Sequence, residues 1–236
     1  MIERSNGLTK QGISEFREVI LDRRRDANKK FSEWAWLFKF SGAGSYSGTF
    51  LDLLNISLND GKAPPHSLKE LVRKQRKLVG VPLVLDLMGY GAVLTDLNVH
   101  GCAVALTDER TTGRKKLDQA LDKGFIAGDV RAPQTWKKLR VWQESQNRKF
   151  NLILCRPFGG MSSIHPNETY YKYVFNQLYS LLSIEGGNLL TSYHAEMRSF
   201  VFSMVQRLND MPGLYAVVTR QNFMLVKNRP APKNLV

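Results

Sequence analysis

Cysteine and histidine are scarce in this chain: two of the first and four of the second in 236 residues. That scarcity excludes a disulfide framework, and no zinc-ligand spacing can be assembled from what is there. Cys102 and Cys155 stand alone, each inside an apolar segment, and read as buried free thiols in a reducing compartment. Long hydrophobic runs are also missing. No apolar stretch approaches the roughly 20 residues that span a bilayer, and the N-terminus has no secretory core. The expectation is an intracellular, cytoplasmic protein (nuclear or organellar in a eukaryotic or viral setting) with no membrane partner. Negative charge is the third shortage. Asp and Glu number 21 against 34 Lys and Arg, a formal charge of +13.

Such an excess favours polyanionic partners, nucleic acid above all, because a cation near a phosphate releases condensed counterions. A solubilising basic surface is the plain alternative. The cations cluster at Arg23 to Arg25, Lys29-Lys30, Arg73 to Lys77, Arg114 to Lys116, Lys137 to Arg140 and Arg148-Lys149. They recur along the chain instead of forming one tail.

The pattern from Gly12 to about Phe38 is helical, with Ile13, Phe16, Val19 and Ile20 at helical spacing. Its aromatic end, Phe31, Trp34, Trp36 and Phe38, fits core packing or a base-stacking platform. Ser41 to Gly48 reads as a flexible loop, Phe50 to Leu58 as a short helix, and Lys62 to Pro65 as a linker. Ser67 with Glu70 three residues on forms a capping box, opening a basic helix to about Leu78. Residues 1–66 are thus a helical basic N-terminal extension, and 67–236 a second unit.

Beyond Gly80, strands and helices alternate. Strands are expected at Leu83–Leu87, Ala103–Thr107, Phe125–Ala127, Leu152–Cys155, Gly187–Thr191, Tyr215–Thr219 and Phe223–Val226. Helices are expected at Val93–Val99, Arg114–Leu121, Pro133–Gln143, Glu168–Leu182 and Ala195–Leu208. The alternation implies a mostly parallel α/β sheet of seven strands, Rossmann-like, with helices on both faces. Only Arg220 to Asn222 separates the last two strands, too few residues for a crossover, so they form an antiparallel hairpin.

In such a sheet ligands sit beyond the carboxyl ends of the strands. The first strand runs into Gly89 and Gly91, which allow close approach of backbone to a ligand or make a plain turn. Asp108 and Glu109 follow the second strand, about 20 residues on, where a carboxylate can accept from ribose hydroxyls. Asp129 ends the third, placed to accept from an exocyclic amino group or to cap the helix near Pro133. A dinucleotide fingerprint needs a third glycine where this chain has Leu94, which disfavours NAD and FAD.

These strand ends resemble the class I S-adenosylmethionine-dependent methyltransferases over roughly residues 70 to 228. The resemblance lies in LDLMGYG at the first strand, TDER at the second, AGDV at the third, CRPFGG at the fourth and the reversed final hairpin. It implies S-adenosyl-L-methionine as cofactor and no metal. Asp86, Met88, Gly89 and Gly91 would cradle its methionine portion, Asp108 or Glu109 its ribose, and Asp129 its adenine. The family usually has glycine where this chain has Met88. Amino-directed members often carry Asn or Asp, two prolines and an aromatic at the fourth strand; here the match is Cys155, Arg156, Pro157 and Phe158. Phe158 would stack a substrate ring, and Arg156 would bind a phosphate or carboxylate or pair with a surface acid. A base, where one is needed, would be His165, Glu168 or His194.

The reaction expected is methyl transfer to nucleic acid, RNA favoured over DNA. A small-molecule or protein substrate and a catalytically silent RNA- or protein-binding scaffold are the alternatives.

Overall fold

The computed structural model describes residues 42–56, 64–89, 91–105, 124–157, 160–163, 166–233 and 235. The expected helices from Gly12 and at Arg114–Leu121 lie outside these residues, as do the basic clusters at 23–25, 29–30 and 114–116. In chain order the elements are α1 (Ala43–Thr49), α2 (Leu51–Leu54), α3 (Leu68–Val79), β1 (Leu83–Leu87), α4 (Ala92–Asp96), β2 (His100–Ala105) and β3 (Phe125–Ala127). There follow α5 (Pro133–Ser145), β4 (Leu152–Cys155), α6 (Glu168–Leu181), β5 (Glu185–Ser192), α7 (Arg198–Asn209), β6 (Leu214–Val218) and β7 (Asn222–Asn228). Short 3₁₀ turns stand at Met161–Ser163 and Ala195–Met197.

One seven-stranded sheet has the order β3-β2-β1-β4-β5-β7-β6. The strands from β3 to β5 run parallel, and β7 is antiparallel to both β5 and β6. The chain winds outward from β1 to β3 on one side and from β4 onward on the other. The crevice between β1 and β4 is therefore the topological switch point.

Alternation along the strands builds two cores. Leu83, Leu85 and Leu87 of β1 and Ile153 of β4 face a layer of Trp136, Leu139, Tyr171, Val174, Leu178 and Val201 from α5, α6 and α7. Val84, Leu152 and Leu154 face Tyr46, Phe50, Leu53, Leu71 and Leu94 from α1 to α4. Residues 43–54 thus share their core with β1 and α3.

The parallel strands β1, β3 and β4 match their expected bounds. β2, at His100–Ala105, begins three residues earlier than expected, and β7 extends beyond Phe223–Val226 at both ends. Half of the expected capping box forms: the Glu70 amide donates to Ser67 Oγ at 3.3 Å, while the Glu70 carboxylate accepts at 2.9 Å from the amide of His66, one residue before the cap. One expectation fails outright. The glycine- and serine-rich stretch read as a flexible loop from Ser41 is helical from Ala43 to Thr49. Composition there is overridden by tertiary contacts: Tyr46 and Phe50 are fully buried, and the Ala43 amide donates to Asp96 Oδ2 at 2.9 Å.

Candidate active site at the switch point

The β1 end is organised around Asp86. Alternation turns its side chain towards α1, where no part of it reaches solvent. Tyr46 donates its hydroxyl hydrogen to Asp86 Oδ1 at 2.6 Å, and the Gly91 amide donates to Oδ2 at 2.8 Å. The chain between them wraps the carboxylate so closely that a Cβ on Gly89 would collide with both of its oxygens. Gly91 has φ +82°, a left-handed conformation that glycine adopts without strain. Met88, where the family pattern has glycine, also takes a positive φ of 63°. The backbone turn that a glycine would favour is thus kept by a side chain that packs half-buried against the larger core.

Burial pushes the Asp86 carboxyl up to about 6, while the Tyr46 hydroxyl, the Gly91 amide and the Arg156 guanidinium pull it down. Burial and the adjacent carboxylate together push the Tyr46 phenol well above its ordinary value. Asp86 therefore acts on the loop from inside. Its carboxylate holds the turn between β1 and α4 and docks α1 onto it.

The β3 end is built differently. Asp129 accepts from Arg131 through both oxygens, at 2.8, 2.9 and 2.6 Å, and from the Arg131 amide at 2.9 Å. The side chains are 19% and 11% exposed. Burial pulls the guanidinium down, but the hydrogen bonds and charge of Asp129 more than restore it, so its pKa ends above the ordinary arginine value. The turn is braced from below by Trp136, whose indole donates to the Val130 carbonyl at 2.6 Å. Asp129 does not cap α5; that position is Ala132, with no side-chain hydrogen bond.

At the β4 end the two residues of the expected catalytic motif part company. Cys155 faces the α5–α7 core, fully buried, and burial pushes its thiol up to about 12 despite the Thr191 hydroxyl beside it. It is the buried free thiol that the apolar run around it implied, a core residue without access to solvent. Arg156 lies 3% exposed on the crevice side, where its charge lowers the pKa of both Asp86 and Tyr46. Pro157 is buried beside it. Phe158, His165, Asp108 and Glu109 lie outside the described residues.

A tyrosine that the sequence reading passed over joins the next two strand ends. Tyr171 of α6 donates to the Met161 carbonyl at 2.9 Å and accepts from the His194 amide at 3.0 Å. One hydroxyl thus clamps the turn after β4 to the turn after β5. The His194 ring accepts from the Glu196 amide at 3.3 Å and caps the short turn there. Tyr46 was missed for a different reason: its signal is the spacing of Tyr46, Phe50 and Leu53-Leu54, a helical stripe hidden among glycines and serines. Among the described residues no group of His, Cys, Asp and Glu could hold a metal ion, and no helix is long and apolar enough to cross a membrane.

No family model matches the chain, and no curated protein matches it either. Among solved structures it is similar to a protein assigned as an O-methyltransferase from Klebsiella pneumoniae, at 11% identity over 79% of this chain and 87% of that one, TM-score 0.39. It is also similar to a methyltransferase homologue from Pyrococcus horikoshii, at 14% identity over 62% of each chain, TM-score 0.41. A third, from Streptococcus mutans in complex with SAH, shares 13% identity over 66% of this chain and 97% of that one, TM-score 0.39. The fold itself is read from the strand order: a Rossmann-like seven-stranded α/β sheet with an inverted last strand, the architecture that the sequence resemblance implies.

Proposed function

We propose that this chain is an S-adenosylmethionine-dependent methyltransferase acting on nucleic acid, with structured RNA as the favoured substrate. The observation that carries the reading is the glycine turn at the switch point, held open in a fixed shape by the buried Asp86 carboxylate. The residues present fit the cofactor. Met88, Gly89 and Gly91 stand at the carboxyl end of β1, where the methionine portion would lie. Asp129 keeps some exposure at the end of β3, so an adenine amino group could reach it in competition with Arg131, which occupies both of its oxygens.

Bound there, the cofactor supplies a methyl group already activated on a sulfonium. The protein's work is alignment. Asp86 fixes the turn, Tyr171 fixes the turns after β4 and β5 relative to each other, and Arg156 offers positive charge beside the crevice. An RNA substrate is supported by the +13 charge, since phosphate contacts supply affinity without a recognisable motif.

A calorimetric titration with S-adenosylhomocysteine tests the cofactor. Saturable one-site binding, weakened at least tenfold by Asp129→Ala, is expected; no binding by the wild-type chain would overturn the reading. A second reading, a silent RNA-binding scaffold, is favoured by one observation. Where amino-directed relatives of the motif carry a polar acceptor, this chain carries the core residue Cys155. Transfer of labelled methyl from S-adenosylmethionine to structured RNA separates the two, because the scaffold binds both and transfers nothing.

A further inference from the structure

The basic helix α3 carries more positive charge on one line than its fold needs. Leu68, Leu71, Val72 and Gln75 are buried against the sheet, and the opposite face exposes Lys69, Arg73, Arg76 and Lys77. Those positions follow i, i+4, i+7 and i+8, one stripe along the helix. The helix has a single acid, Glu70, and it is folded back onto the His66 amide. Lys69, Arg73 and Lys77 make no ion pair among the described residues.

Helix stability does not account for this stripe. Cations in the last turn, Arg76 and Lys77, do complement the helix dipole, but Lys69 stands in the first turn, at the positive end. Lys69 with Arg73, and Arg73 with Lys77, are like-charge pairs at i, i+4 and destabilise the isolated helix. A line of mutually repelling cations kept in the open points to an anionic ligand.

The ends of the stripe say where such a ligand leads. At its start the Leu68 amide donates to Ser47 Oγ of α1, the helix whose Tyr46 holds Asp86. At its far end Arg76 donates to the Asn98 carbonyl at 2.7 Å, and Arg148 donates to the Val81 carbonyl just past the helix. These bonds bring exposed Arg148 beside the same line. Twelve residues at about 1.5 Å each make a track about 18 Å long, from the glycine-turn end of the sheet to its amino-end rim.

We propose that the solvent face of α3, continued by Arg148, is a track for the phosphate backbone of RNA, leading one end of the bound strand to the switch-point crevice. The proposal rests on the nucleic-acid reading above and adds the surface that reading lacked. A lipid surface fits less well. An interfacial helix buries a whole apolar face in the membrane, whereas Leu68, Leu71 and Val72 of α3 are spent in the core and only Leu78 is left exposed among its cations.

The test uses the intact chain and a fluorescein-labelled RNA stem-loop, with affinity measured from about 50 to 200 mM KCl. Arg73→Gln/Lys77→Gln is expected to weaken binding about tenfold or more at the low-salt end and to reduce the salt slope by about 2, one for each phosphate left without its cation. Lys137→Gln/Lys138→Gln removes the same charge from exposed positions on α5, across the sheet, and is expected to change the affinity less than threefold. Equal losses in both variants, or none in either, overturn the track while leaving RNA binding by the wild type intact. A wild-type chain that binds phosphatidylserine vesicles but no RNA overturns the track and the nucleic-acid reading together. A thermal unfolding midpoint within a few degrees of the wild type shows that each variant is folded.

Discussion

The ends of β1 and β3 each present an aspartate at the carboxyl edge of the same sheet, yet the two acids live by different physics. Asp86 is sealed among neutral donors, a phenol and an amide, with the Arg156 charge acting from nearby. Burial wins, and the carboxyl rises to about 6. Asp129 remains partly open and spends both oxygens on one guanidinium. The contrast teaches that position at a strand end does not assign a role. The first acid shapes backbone from within. The second offers a paired but accessible carboxylate at the surface where a ligand would arrive.

Deleting each acid is the sharpest way to break this contrast. Asp86→Ala leaves the Tyr46 hydroxyl and the Gly91 amide buried without acceptors, each costing about 1–3 kcal/mol. A loss near 4 kcal/mol in denaturant unfolding is expected, with S-adenosylhomocysteine binding lost as the turn relaxes. A loss under 1 kcal/mol would show that the turn does not depend on its carboxylate.

The next largest effect is in pH. The folded Asp86 pKa of about 6 lies above the ordinary 3.8, so the folded state binds the proton more tightly. Its stabilising contribution is complete below pH 3.8 and is lost as pH rises through about 6, a change on the order of 3 kcal/mol. Asp86→Asn can still accept from Gly91 and donate back to the Tyr46 oxygen, so it is expected to fold and to flatten stability between those limits. An unchanged pH profile in this variant would assign the titration to another group.

Asp129→Ala leaves Arg131 without its partner in a largely buried place. About 2 kcal/mol is expected, less than for a fully buried pair because both side chains keep some solvent. Restoring stability with Asp129→Ala/Arg131→Met would show that the cost came from the orphaned charge. The smallest effect is Tyr46→Phe, which removes one donor to Asp86 and keeps the ring. About 1.5 kcal/mol is expected, with the stability midpoint of the pH profile moving upward.

How much of this was legible in the sequence follows from where each signal resides. β1, β3 and β4 are short apolar runs bounded by glycine, proline or polar turns, and their limits could be read directly. The seven strands followed from apolar runs alternating with helical patterns, and the reversed hairpin from the shortness of the last connection. The role of Asp86 was hidden, because its partner Tyr46 lies 40 residues away in a stretch whose composition reads as loop. The Asp129–Arg131 pair is two residues apart and was within reach of local reasoning, but adenine contact and helix capping were weighed instead. The burial of Cys155 was legible from the apolar run around it, while its motif position says nothing about which face of the strand its side chain takes. Alternation with Ile153 and Leu87 would have put it in the core.

The composition of α1 has a last consequence. Two glycines, two serines and a threonine in seven residues make a segment that would not be helical alone; their propensities oppose it by about 3 kcal/mol. It is ordered only while docked on Asp86 and Asp96, and the same Asp86 carboxylate holds the Gly91 amide. Undocking α1 and loosening the glycine turn are therefore one local opening reaction, and the protection of the Gly91 amide against hydrogen exchange reads its equilibrium constant. Any ligand that steadies α1 lowers the conformational entropy left to be lost at the turn, so the two surfaces draw on a single shared free energy.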